Sequence, residues 1–345
     1  MTGTSPGFRR LAGGTAVATF LLIVLGGVVR VSDSGLGCGP GGSGTRGWPL
    51  CRGDLIPGFS LHTGIEYAHR AVASIVVVEM IALAVWAWRR YRGRRWLVRA
   101  TAAGVVLIIA QALLGAATVE KSLDEPLVAA HLGLAMLLFG VALFVVRAAR
   151  AEQGGAAAVD AGPRFRALAV TSQALLLGVI VAGGYMAGTE HLGRSDQRAS
   201  AGAHHACGHE FPTCNGGFLP FGHHRLVDIH LTHRVFVYLF AAAAIVLIVV
   251  ALRRRPGRVI VRAARVLAGL LVLQIVLGGL NVWLTHEYEL LILAHLATAT
   301  LLWGALTTIN LQLFRIPAAE PEGAPNLARS ERAVPAWHAD PESII

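Results

Sequence analysis

Apolar residues fall along this chain in eight long runs, at about 11–29, 64–88, 100–119, 127–147, 166–188, 226–252, 263–284 and 289–314. Each reaches the roughly 18 residues that cross a hydrocarbon layer as a helix. The pattern predicts an all-α membrane protein with eight transmembrane helices. The outward segments 31–63 and 189–224 are long and rich in glycine, and loops of that length in a compact fold tend to be functional or mobile. The Gly/Ala-rich stretch 151–163 reads as a linker. The tail from Pro317 onward mixes Pro, Ala, Glu and Arg without apolar period, and it is expected to be disordered.

The few polar residues inside the runs repeat. His69 and His131 are 62 residues apart, as are His233 and His295, and the second pair is the first displaced by 164. Gln111 with Leu114-Gly115 recurs as Gln274 with Leu277-Gly278, at an offset of 163. The chain therefore divides into an N-terminal four-helix half (1–150), a linker (151–165), a C-terminal four-helix half (166–316) and a tail (317–345). Four helices per copy is an even number. The expected arrangement is two tandem four-helix bundles related by a pseudo-two-fold axis along the membrane normal.

Composition agrees with this picture. Of 345 residues, 54% are hydrophobic and 14% charged, against about a quarter charged in soluble domains. The net charge of +10 does not indicate nucleic acid, because its placement follows the loops. Arg89, Arg90, Arg92, Arg94, Arg95 and Arg99 fill one; Arg147, Arg150, Arg164 and Arg166 flank the next; Arg253, Arg254, Arg255, Arg258, Arg262 and Arg265 fill a third. Arg9 and Arg10 precede the first run. An arginine excess on same-side loops marks the cytoplasmic face of a cell membrane, which puts both termini there. The opposite loops carry Glu120, Asp124, Glu125, Glu190, Glu287 and Glu289. The first run is long enough to span and reads as a retained helix rather than a cleaved signal. Trp86, Trp88, Trp96 and Trp283 read as interface anchors.

The four cysteines sit in outward loops, as Cys38 with Cys51 and Cys207 with Cys214. Two local disulfides are the simplest reading in an oxidising compartment. Metal binding is the rival, since His204, His205, His209, His223 and His224 crowd the second pair.

Ionisable residues are expensive within a bilayer and mark functional sites there. Four histidines at one level, a turn or two inside their helices, suit paired imidazole ligation of haem iron. The alternative is that each ring is an interhelical hydrogen-bonder. Glu66 precedes His69 by three residues and shares its helix face one turn outward. Arg70 suits a haem propionate, and Arg234 repeats it. The second copy has His230 where the first has Glu66, so the halves differ at the residue suited to proton chemistry. Glu66 could instead cap or salt-bridge its helix end. Glu79 lies deeper, about 80° around the helix from His69. Gln111 and Gln274 read as interhelical hydrogen-bonders, and Gly26-Gly27, Gly115 and Gly278-Gly279 as close-packing positions.

Glu66-Tyr67-Ala68-His69-Arg70 resembles the Glu-x-x-His-Arg motif of the heme A synthases, eight-helix proteins in two halves with two histidines per half and cysteine pairs in outer loops. Gly26-Gly27-Val28-Val29-Arg30, then Gly35-Leu36-Gly37-Cys38 through Trp48-Pro49-Leu50-Cys51, are similar to the same family, and the likeness spans about residues 11–314. It implies oxidation of a ring methyl of heme O, the substrate, to the formyl group of heme A, with oxygen added in successive steps and electrons from an external donor. It also implies that Glu66 is catalytic, that His69 and His131 face the substrate haem, and that His233 and His295 ligate a resident heme b. Cys38 and Cys51 would form a loop disulfide, and heme O synthase would be a partner. Association with membrane lipid follows from the helices, and a homo-oligomer is compatible with them. The twelve residues between Cys38 and Cys51 make a longer loop than is usual in that family, so no loop geometry is carried over.

Two other function classes compete. One is a two-haem transmembrane cytochrome that only carries electrons, since bis-histidine pairs suit four-helix bundles. It leaves Glu66 beside one pair alone unexplained. The other is a thiol–quinone oxidoreductase using the outer cysteines, which leaves the histidines without a role.

Overall fold

A computed structural model describes residues 3–151, 155–189, 202–284 and 288–319. Among them are eight helices, all long and apolar enough to cross a membrane. They are α1 (Pro6–Val31), α2 (Leu61–Arg90), α3 (Arg95–Glu120), α4 (Glu125–Arg150), α5 (Pro163–Gly188), α6 (Arg225–Arg254), α7 (Arg258–Trp283) and α8 (Tyr288–Gln312). The protein is a multi-pass membrane protein.

Several helices start before their apolar runs do. The Ser5 and Ser60 hydroxyls accept from the Phe8 and Thr63 N–H groups and cap α1 and α2, and Pro6 opens α1, as such termini favour. α3 and α7 begin with arginine-bearing turns that hydropathy leaves out but that stand at headgroup level. α8 stops at Gln312, short of the expected 314.

Each quartet closes on itself: α1 packs on α2 and α4, α3 on α2 and α4, and α5, α6, α7 and α8 do likewise. The halves meet along α4–α5, α1–α8 and α4–α8. Glycine makes those approaches possible. A Cβ on Gly27 would meet the Leu296 side chain at 2.6 Å, and one on Gly184 the Ala129 Cα at 3.2 Å. Small residues at such crossings are how helices associate without a hydrophobic drive. Arg30 reaches across to the Ala187 carbonyl. On the outer faces of α2, α3, α6 and α7, Val78, Val106, Ile245 and Val272 are exposed, as lipid-facing positions should be.

Beyond 152–154, which lie outside the described residues, the linker is tied down. Ala156 and Ile316 exchange backbone hydrogen bonds of 2.9 Å in both directions, and the Val159 N–H donates to the Gln312 carbonyl at 2.8 Å. Most of the expected disordered tail (320–345) lies outside the described residues, as do Glu190 and Glu287. Trp88, Trp96 and Trp283 are exposed near helix ends, with the Arg92 guanidinium 4.6 Å from the Trp88 ring. Trp86 departs from the anchor reading: it packs edge-on against Phe8, with centroids 5.7 Å apart.

Candidate functional site

His69, His131, His233 and His295 all lie within the first nine residues of α2, α4, α6 and α8. At 1.5 Å per residue this sets them roughly 9–12 Å below the same end of the molecule. His69 and His131 are within electrostatic reach of each other, and so are His233 and His295. These neighbours lie within halves, on helices that sit diagonally in each bundle. These four imidazoles are the residues that could hold haem iron.

Their nitrogens answer the hydrogen-bonding alternative. The Nδ1 atoms of His69, His131 and His295 are buried and have no hydrogen-bond partner among the described residues. A structural histidine would not be left so, because an unsatisfied buried polar atom costs about 1–3 kcal/mol. His233 differs: its Nδ1 lies 3.0 Å from the Val179 carbonyl of α5. That contact makes Nδ1 the protonated nitrogen and leaves Nε2 as the free donor. Gln111 is the interhelical hydrogen-bonder expected of it, donating through Nε2 to the His131 carbonyl at 2.9 Å. Gln274 Oε1 and Glu79 Oε2 are buried without a partner among the described residues.

Glu66 is 3% exposed and is bound from two sides. Its Oε2 accepts the Cys38 backbone N–H at 2.7 Å, and its Oε1 pairs with the Arg70 guanidinium one turn on. Arg70 also donates to the Gly47 and Leu50 carbonyls at 2.6 and 3.1 Å. Cys38 and Cys51 form a disulfide. The carboxylate, the arginine and the disulfide are therefore one assembly that fixes the first outer loop onto α2. Gly-Pro-Gly-Gly-Ser-Gly within that loop docks on the α3–α4 turn, where the Gly42 N–H donates to the Glu120 carbonyl at 3.1 Å. Close by and outside the helices, burial raises the Asp33 carboxyl above its ordinary pKa, against the lowering influence of Arg30 and His62.

The second loop repeats the clamp, with its arginine displaced by 164 residues and the carbonyls it holds by 163. Arg234 donates to the Glu210 and Thr213 carbonyls at 2.8 and 2.7 Å, the counterparts of Gly47 and Leu50, and Cys207 is bonded to Cys214. Both cysteine pairs are disulfides, so no thiolate is left for a metal, and no group of three metal-binding side chains occurs among the described residues. In place of Glu66, His230 sets its Nδ1 2.7 Å from the Ala203 carbonyl. The halves share a loop clamp and a histidine pair and differ in one group, a carboxylate against an imidazole.

The sequence offered Arg70 and Arg234 to haem propionates. The structure engages both with loop carbonyls, an acceptor class that no side-chain pattern displays. It also brings Glu66 to Cys38, 28 residues away, a contact that no spacing rule suggests.

Known proteins resemble this chain over most of its length. The family model of the cytochrome oxidase assembly proteins (COX15-CtaA) matches residues 58–307. The heme A synthase of Alkalihalophilus pseudofirmus is 31% identical over 306 residues, covering 87% of this chain and 95% of its own. That of Shouchella clausii is 31% identical over 286 residues, covering 82% and 89%. That of Halalkalibacterium halodurans is 28% identical over 303 residues, covering 87% and 95%.

Proposed function

Because the chain belongs to the cytochrome oxidase assembly (COX15-CtaA) family, with heme A synthases among its relatives, we propose that it is a membrane oxidoreductase that converts heme O to heme A. The observation that carries this reading is the pairing of two imidazoles at one level in each bundle, with a buried carboxylate beside one pair only. Orphaned Nδ1 atoms on three of the four rings support haem over a purely structural role.

In this reading His69 and His131 receive heme O in the N-terminal half, and His233 and His295 hold a heme b in the C-terminal half, where it would supply one-electron transfer. Turning a ring methyl into a formyl group removes two hydrogens and adds one oxygen; with dioxygen and a donor's electrons each insertion takes up two protons and releases one water, so protons must be delivered to the site. Glu66 is the group to relay them, at the Oε atoms held by Cys38 and Arg70. Arg70 pairs with the carboxylate and aims it, and it seats the first loop on α2. Arg234 seats the second. The histidine ring at 230 cannot substitute as a carboxylate base, which restricts the reaction to the first half.

Orientation follows the arginine-rich loops: both termini cytoplasmic, in the cell membrane, with both disulfide loops outside. The two halves form tandem bundles about an axis along the membrane normal, the first within 1–150 and the second within 166–316. Heme O synthase is the partner that supplies the substrate, the electron donor acts from outside the chain, and homo-oligomers are compatible with the lipid-facing helices. A cytochrome without a substrate of its own would have no use for Glu66 in one half alone.

The test is the haem content of cells with and without the chain. Heme A should appear only with it. The purified protein should carry a low-spin b-type haem that His233→Ala or His295→Ala removes; a full spectrum in both variants, or heme A made without the chain, would refute the reading.

A further inference from the structure

Each of the four histidines meets a glycine on the helix that precedes its own. A Cβ built on Gly26 of α1 would lie 3.2 Å from His69 Cε1, and on Gly115 of α3, 3.0 Å from His131 Cε1. On Gly183 of α5 it would lie 3.1 Å from His233 Cε1, and on Gly278 of α7, 3.4 Å from His295 Cε1. In all four the nearest atom is the same ring carbon, and Nδ1 is next or close to it. We propose that Gly26, Gly115 and Gly183 are positioning residues, with Gly278 their looser counterpart at an ordinary contact distance. Each gives the imidazole edge a flat seat on the neighbouring backbone and so sets the ring's plane and the direction of its free nitrogen.

This goes beyond close packing, because neighbouring glycines do something else. In the doublets Gly26-Gly27 and Gly183-Gly184, the first glycine faces a ring while the second faces the other half of the molecule, against Leu296 and Ala129. Gly279, next to Gly278, faces Trp283 instead. His233 shows what the seat achieves. Its Nδ1 reaches the carbonyl of Val179, the residue one helical turn before Gly183, so the ring lies along the stripe of backbone that the missing side chain uncovers. Within a helix an alanine would otherwise be the better residue by about 1 kcal/mol. A Cβ within 3.0–3.2 Å of a ring carbon forces the ring to tilt or retreat, and ligand direction is what iron coordination senses.

The inference rests on the haem-ligand reading above. Its test uses the full-length chain purified in detergent, with bound haem per polypeptide and the low-spin fraction of that haem read by optical and electron paramagnetic resonance spectra. Gly115→Ala, read after loading with heme O, and Gly183→Ala, read on the resident haem, are compared with Gly14→Ala and Gly269→Ala, whose Cβ positions are open, and with Gly184→Ala, which crowds only the interface between halves. The ring-facing variants should weaken haem binding roughly tenfold, the lower end for changes behind a metal ligand, and shift the highest g value. Gly278→Ala, at an ordinary contact distance, should stay near wild type, and so should the open-site and interface variants. The low-spin fraction is counted per bound haem, so a poor yield of one variant leaves the other half to decide. Wild-type spectra in both Gly115→Ala and Gly183→Ala, or an equal shift in Gly184→Ala, would overturn the proposal. An untouched chain without a bis-imidazole signal would instead overturn the ligand reading, and this proposal with it.

Discussion

Glu66 illustrates how one side chain takes its chemistry from its contacts. A carboxylate 3% exposed survives in an apolar bundle only when it is paired and hydrogen-bonded, and here Arg70 and the Cys38 N–H do both. Replacing Glu66 with glutamine keeps an oxygen for the Cys38 N–H but removes the charge and the exchangeable proton. Heme A output should fall roughly 10²-fold or more, within the range of general acid–base catalysis, while the b-haem spectrum persists; a spectrum lost together with activity would make Glu66 structural. At this scale the sequence was informative about which residues matter. The histidines stand out because ionisable groups are rare in apolar runs, and Glu66 because it lies one turn from one of them. It was uninformative about partners made of backbone. The carbonyls held by Arg70 and Arg234 and the Cys38 N–H carry no side-chain signature, so the arginines read as ligands for a propionate when they also brace loops.

Among the elements, the described parts of the two outer loops are constrained alike. Each is closed by a disulfide and clamped by an arginine of the following helix, Arg70 on the Gly47 carbonyl and Arg234 on the Glu210 carbonyl. Loop closure over separations of 13 and 7 residues stabilises by about 3 and about 2.5 kcal/mol in the chain-entropy model. The consequences should nevertheless differ. Cys38→Ser with Cys51→Ser loosens the backbone N–H that holds Glu66, so heme A formation should drop more than thermal stability does. Cys207→Ser with Cys214→Ser should lower the melting temperature and haem retention of the C-terminal half with a smaller effect on turnover per bound haem. Assays on both double variants, beside melting curves, separate these outcomes; equal losses of activity and stability in the first would sever the link between disulfide and carboxylate. The helices themselves were legible as apolar runs. Their ends were not, because serine caps and arginine-rich first turns extend α2, α3 and α7 beyond the hydrophobic part that the eye detects.

For the molecule as a whole, the 164-residue repeat predicts two quartets with a histidine pair each, and in the structure α1–α4 contact one another in a ring, as do α5–α8. How they join was hidden. Gly26 and Gly27 are identical letters, yet one faces a ring and the other Leu296 across the divide, and only three-dimensional neighbours separate the two. The joint also has a fastener far from both loops. Residues 156–159 pair with the end of α8 through Ala156, Ile316, Val159 and Gln312, so the segment leaving the first half is stitched to the last turn of the second. That stitch orders the start of the second piece, while the α4–α5, α1–α8 and α4–α8 contacts and the Arg147 guanidinium, which donates to the Phe314 carbonyl at 3.1 Å, tie the halves together without the covalent link between Ala151 and Gly155. Two polypeptides made separately, one ending at Ala151 and the other starting at Gly155, should co-purify and bind haem as a reconstituted pair. A gene for this fold could accordingly be split into two genes there and still yield a working enzyme.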